Sequence, residues 1–171
     1  MNKVGRVPAL TVALMSIAIL TNCASLIEFQ GPEGPSLRGL NRTTELGEIS
    51  GRTTAYGEAW RRHSAFTFTV DGPSTAEIEV VVTRIMEGME YEDDDSVLYL
   101  FAEDGTLLGQ DDDSGEGQAS FLTVGLPEAG RYFVAVATYG DHVRLDSSNR
   151  LTHFSGGGMS RFEFDLVIDV Y

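Results

Sequence analysis

From residue 64 onward apolar side chains recur at every second position, the period of a strand with one buried face. Phe66, Phe68 and Val70 alternate with Thr67 and Thr69, and Asp71-Gly72-Pro73 follows as a strong turn signal. Ala76, Ile78, Val80 and Val82 alternate with Glu77, Glu79 and Val81. The last run, Ser160 to Tyr171, sets Phe162, Phe164, Leu166, Ile168 and Val170 against Arg161, Glu163, Asp165 and Asp169. Two runs break the alternation. In Val97 to Phe101 and in Tyr132 to Tyr139 both parities are largely apolar, as expected of strands covered on both sides or at a sheet centre. Shorter strands are predicted at Thr106-Leu107-Leu108 and Ser120 to Leu126, with turns at Gly105 and Gly130. Leu46 to Gly51 reads as a short first strand. Thr53 to Arg62 fits one helical turn or an irregular crossing anchored by Trp60. Gly140 to Gly158 reads as a long polar insert carrying His142, His153 and Gly156-Gly157-Gly158.

With turn signals about every ten residues, this is the pattern of an all-β chain: a single β-sandwich of jelly-roll type with about eight antiparallel strands. An outer-membrane barrel does not fit. Counting back in twos from Tyr171 gives Asp169, Val167, Asp165 and Glu163, and a lipid-facing strand would not carry those charges.

The first residues are different in kind. Lys3 and Arg6 precede a mostly apolar run from Val7 to Leu20, which suits a signal peptide and is short for a membrane span. Leu20-Thr21-Asn22-Cys23 is similar to the lipobox of bacterial lipoproteins, although Asn22 stands where that motif usually has Gly or Ala. The resemblance implies that Cys23 is lipid-modified and begins the mature chain. The alternative is an incidental Cys after an ordinary secretory signal. Cys23 is the only cysteine, so no intrachain disulfide forms. The expected organisation is a signal over 1–22, a flexible Gly/Pro-rich tether over 23–45 and one folded domain over 46–171.

Charge narrows the partners. The chain carries 12 Lys and Arg against 26 Asp and Glu, a net charge of −14, and losing a signal that holds only Lys3 and Arg6 would make it more negative still. Such a surface argues against nucleic acid and against electrostatic docking on anionic lipid. It suits a protein of the cell envelope that faces the periplasm or the exterior.

The stretch around the two-sided strands resembles the bacterial pre-peptidase C-terminal domain, a β-sandwich module of secreted proteins. The run Asp95-Ser96-Val97-Leu98-Tyr99-Leu100-Phe101-Ala102-Glu103-Asp104-Gly105-Thr106-Leu107-Leu108 carries the resemblance. It continues through Asp112-Asp113-Ser114-Gly115, Ser120-Phe121-Leu122 and Leu126 to Val136, and Phe66 to Val70 suits the start of such a domain. The likeness spans about 46–171 and implies a sandwich fold and calcium at acidic loops.

The residues themselves offer two readings of those loops. A hard cation needs six to eight oxygens, and Asp93, Asp95, Asp111, Asp112 and Asp113 flank one hairpin that would bring their loops together. The other reading is that these aspartates are solvated and cap backbone N–H groups. The spacing is not that of an EF-hand, since Leu122 stands eleven residues after Asp111. Catalysis has little support. His63, His142 and His153 lack metal-ligand spacing, and Ser64 beside His63 would point to the opposite face of a strand. Tyr91, Tyr139 and Tyr171 are candidates for exposed stacking surfaces at strand ends. The function expected is a non-catalytic, calcium-stabilised binding module on a lipoprotein, recognising protein or polysaccharide and held to the membrane through Cys23. A structural or accessory envelope protein that assists a secreted partner is the alternative, and a hydrolase is the least favoured.

Overall fold

The structure is a computed structural model that describes residues 37–40, 42–87, 94–158 and 160–171. The signal segment, Cys23 and most of the expected tether therefore lie outside the described residues. Every regular element among the described residues is a strand: β1 (Thr43–Glu48), β2 (Arg52–Trp60), β3 (Ser64–Val70), β4 (Ser74–Glu87), β5 (Ser96–Ala102) and β6 (Leu107–Asp111). They are followed by β7 (Phe121–Leu126), β8 (Gly130–Thr138), β9 (Asp141–Leu145), β10 (Leu151–Gly156) and β11 (Arg161–Val170). A five-stranded sheet, β1-β3-β8-β5-β6, faces a four-stranded sheet, β2-β11-β4-β7, and β9-β10 form a separate hairpin. The two sheets thus hold nine strands, close to the eight or so expected, and the hairpin adds two more. From β1 to β8 every connection except β5–β6 passes from one sheet to the other, as in a jelly roll. All sheet pairings are antiparallel apart from β1 with β3.

Strand alternation places one apolar row of each sheet in the space between them. Phe66 and Phe68 of β3 and Leu98 and Leu100 of β5 meet Ile78 and Val80 of β4 and Phe162 and Phe164 of β11. All of these are at most 2% exposed. Burying a Phe or Leu of this kind contributes about 1.5–3 kcal/mol each, set against the entropy of ordering it.

The two-sided strands have a second reason to be apolar. Val97, Tyr99 and Phe101 of β5 and Phe133, Ala135 and Ala137 of β8 point away from the first core into a second one. That outer core is roofed by Val143, Leu145, Leu151 and Phe154 of the β9–β10 hairpin, with Leu37, Leu40 and Leu107 at its margin. The expectation of a long polar insert over 140–158 is corrected here. The segment forms a short hairpin whose apolar residues are few and spaced by His142, Arg144 and His153, so its covering role is not visible as a run.

Residues 53–60 also depart from expectation: instead of a helical turn or an irregular crossing, they belong to β2, paired along its whole length with β11, and Arg61 and Arg62 form the bend after it. Its inward positions are Ala55, Gly57 and Ala59 because the rings opposite are large: a side chain at Gly57 would collide with the Phe164 ring. Small inward residues erase the hydrophobic alternation that would have announced the strand. Trp60 is no core anchor either. It lies 42% exposed on the outer face, with the guanidinium groups of Arg161 and Arg61 at 4.6 and 5.1 Å from its ring centre.

Gly57→Ala is expected to lower unfolding free energy by about 1–3 kcal/mol, the cost of overpacking a filled core. Gly72→Ala, with nothing within 4 Å of the added carbon, is expected to stay within about 0.5 kcal/mol. Urea denaturation of the two variants checks both.

Candidate functional site

The organising hairpin is β5–β6. At its turn Gly105 has φ +87°, open to glycine and strained for other residues, and Asp104 Oδ1 accepts the Thr106 N–H at 3.0 Å. At the opposite end the chain enters β5 through Asp94 and Asp95 and leaves β6 through Asp111, Asp112 and Asp113. These two loops do meet. The Ser96 and Ser120 hydroxyls lie 2.9 Å apart, the Ser120 N–H donates to Ser96 Oγ at 2.9 Å, and the Ser96 N–H donates to the Gln118 carbonyl at 3.3 Å. The Asp94 carboxylate sits over the Gly117 turn, where a β-carbon would come within 2.9 Å of Oδ2.

Proximity of the loops is not convergence of the carboxylates. Asp111 Oδ2 accepts the N–H groups of Ser114 at 3.0 Å and Phe121 at 2.9 Å, so it braces its own loop. Asp112 and Asp113 are exposed, whereas Asp95 is 6% exposed and its carbonyl accepts the Tyr139 N–H at 3.0 Å. Asp93 and Tyr91 lie outside the described residues. Among the described residues, no group of three or more His, Cys, Asp or Glu side chains is arranged to hold a metal ion.

What the loops do border is a cleft of about 330 Å³. Val97 and Tyr99 of β5 and Val143 of β9 form its apolar part, Gln110, Asp111 and Asp112 one rim, and Tyr139 and His142 the other. Tyr139 is 41% exposed and meets His142 edge-on with ring centres 6.0 Å apart. Tyr99 is nearly buried, packed edge-to-face on Phe154 at 5.5 Å. Its phenol is pushed up to about 12: burial disfavours the phenolate, and the charges of Asp141 and Asp112 add to this against a hydrogen bond from the Val143 backbone.

Behind the cleft lies a buried His–Asp contact that the sequence did not announce. His63, just before β3, places Nδ1 3.8 Å from Asp141 Oδ2, with both side chains about 5% exposed. The His63 ring stacks on Phe154 at 3.8 Å between centres. This contact ties both strands of the hairpin to the sandwich and so sets the position of His142 and Val143. Ser64, the neighbour of His63, donates its hydroxyl to the Glu58 carbonyl and is committed to the backbone. Tyr171 does not line the cleft, and its hydroxyl donates to Glu77 Oε1 at 2.9 Å. Of the expected site residues, Asp111, Asp112 and Tyr139 share the cleft. Gln110 and Tyr99 join them through the β5–β6 pairing, and His142 because the β9–β10 hairpin folds back.

Residues 64–138, from β3 to the end of β8, match the family model of the bacterial pre-peptidase C-terminal domain. No curated protein matches the chain. Among solved structures, the pre-peptidase C-terminal domain of a collagenase from Bacillus anthracis shares 14% identity at a TM-score of 0.47, over 79% of this chain and 99% of that one. PliG of Aeromonas hydrophila, a periplasmic inhibitor of g-type lysozyme, shares 11% at a TM-score of 0.43, over 75% and 99%. PliG of Salmonella Typhimurium shares 14% at 0.39, over 74% and 98%.

The Tyr99 phenol has a testable consequence. Its folded value lies above the ordinary 10.0, so the stabilisation it represents is complete below pH 10 and is lost as pH rises through about 12. In an ultraviolet pH titration, one phenolate signal of the folded protein is expected to appear near pH 12 and to be missing from Tyr99→Phe.

Proposed function

We propose that this protein is a non-catalytic, extracytoplasmic binding module that recognises a protein or polysaccharide ligand at the cleft between β6 and β9. The observation that carries this reading is the cleft itself. It is concave, walled by Tyr99 and Tyr139 and edged by a few polar groups, the composition of a recognition site. The match of residues 64–138 to a module family supports the same reading. In this proposal Cys23 carries the lipid and the residues between it and the folded domain space that domain from the membrane. Calcium at the acidic loops belongs to the proposal as well. Asp95 on one loop and Asp112 and Asp113 on the other are the carboxylates proposed for it, and the serine contacts between the loops would let one ion brace both.

Two measurements test these parts separately. Ligand capture by the mature protein, on glycan arrays and against envelope extracts, is expected to weaken about tenfold or more in Tyr139→Ala, as for an aromatic hot spot, with the melting temperature unchanged. A captured ligand whose binding ignores Tyr139→Ala would place recognition elsewhere. For calcium, the melting temperature is expected to rise by several degrees over that in chelator, and the rise is expected to vanish in Asp112→Ala/Asp113→Ala. An equal rise in the double variant would remove calcium from these loops.

A further inference from the structure

We infer that the cleft receives a cationic side chain, an arginine guanidinium or lysine ammonium, from an extended segment of a protein partner. This rests on the cleft being the recognition site and names the chemistry it selects.

The sign of the site comes first. Its lining holds Asp111 and Asp112 and neither Lys nor Arg. A cavity edged by one sign of charge on low-dielectric walls concentrates the opposite charge, and the net −14 of the chain would draw a cationic partner toward it.

The walls then choose the kind of cation. The ring of Tyr139, 41% exposed, can attract a cation through its face, and Val97 and Val143 suit the methylene stem of a long side chain. Tyr99, buried beneath the cleft, stays a neutral phenol up to about pH 12 and so brings no competing charge. A hard metal ion gains nothing from rings and valines, and Asp111 Oδ2 already accepts two backbone N–H groups. An organic cation asks less: one available carboxylate, which Asp112 provides, and an aromatic face.

Size selects the source. At about 330 Å³ the cleft lies at the small end of ligand pockets, which run from about 300 to 1,000 Å³. It has room for one side chain of a protein, whereas a polysaccharide would need a groove along several residues.

The test is an NMR titration of the mature protein at about 0.15 M salt, where diffuse surface attraction is largely screened. The probes are acetyl-Gly-Arg-Gly-amide, its Lys analogue, its neutral citrulline analogue, a glucosamine tetramer and calcium chloride. The Arg or Lys peptide is expected to shift the Gln110, Tyr139 and Val143 amides saturably, and the citrulline peptide to bind at least about tenfold more weakly. Asp112→Asn and Tyr139→Ala are each expected to weaken the cationic peptide about fivefold, with folding confirmed by unchanged melting temperatures. Equal binding of the citrulline peptide would overturn the cation. Tighter binding of the glucosamine tetramer would overturn the protein source. Shifts scattered over all acidic loops, or an absence of shifts, would overturn the inference while ligand capture sensitive to Tyr139→Ala kept the recognition site itself. Calcium shifting the same amides and displacing the peptide would assign the cleft to the metal instead.

Discussion

The five-stranded sheet is apolar on both faces, and that constraint shapes most of the molecule. One face of β5 and β8 is covered by the second sheet, which leaves Val97, Tyr99, Phe101 and Phe133 on the other side facing outward. Exposed together they would form the kind of contiguous apolar patch that soluble proteins avoid or use. The β9–β10 hairpin answers this by folding back over them with Val143, Leu145, Leu151 and Phe154. A hairpin of five- and six-residue strands is too small to stand alone in water, so its position depends on what it covers and on a few specific contacts. The buried His63–Asp141 pair and the His63–Phe154 stack are those contacts. Such a contact does not have to add stability over an apolar equivalent, because both polar groups lose water, but removing either partner would leave the other buried alone. Its effect is positional: it decides where the hairpin sits on the sheet.

How much of this could be read from the sequence depends on the sizes of side chains on facing strands. The strands with large residues on one parity, β3, β4 and β11, stand out in the sequence because nothing else produces Phe-x-Phe or Ile-x-Val at that period. The double-sided character of β5 and β8 was equally legible, together with the demand for a cover. The identity of the cover was not. Its apolar residues belong to the outer core only in three dimensions, and in the chain they are scattered among Arg, His and Asp. β2 was hidden for the opposite reason. Phe162 and Phe164 fill the space it faces, so its own inward residues shrank to Ala and Gly, and a strand without inward bulk has no visible period.

The acidic loops show the same division between what is local and what is tertiary. Asp104 and Asp146 accept backbone N–H groups of their own turns, which holds both carboxyls below the usual carboxylate range. Asp111 likewise accepts backbone N–H groups in the loop that follows β6. Part of the acidity that first looks like a binding signal is therefore turn chemistry, spread along the chain wherever the backbone reverses. Adjacent aspartates in sequence consequently say little about shared function. Asp111 braces a loop, and Asp112, one residue on, stands on the rim of a cleft.

That difference gives the cleft its character. Its rims come from β6 and from the β8–β9 turn, elements more than 25 residues apart that meet only because the outer core needs a roof. The same demand buries the Tyr99 ring against Phe154 while leaving one side of it facing the gap between β6 and β9. A recognition surface here would cost the fold little, because the gap is where the two-stranded roof is too narrow to reach the sheet edge. The roof leaves Tyr139 and His142 at that margin, opposite Asp112, so the cleft itself follows from an incomplete covering of an apolar sheet.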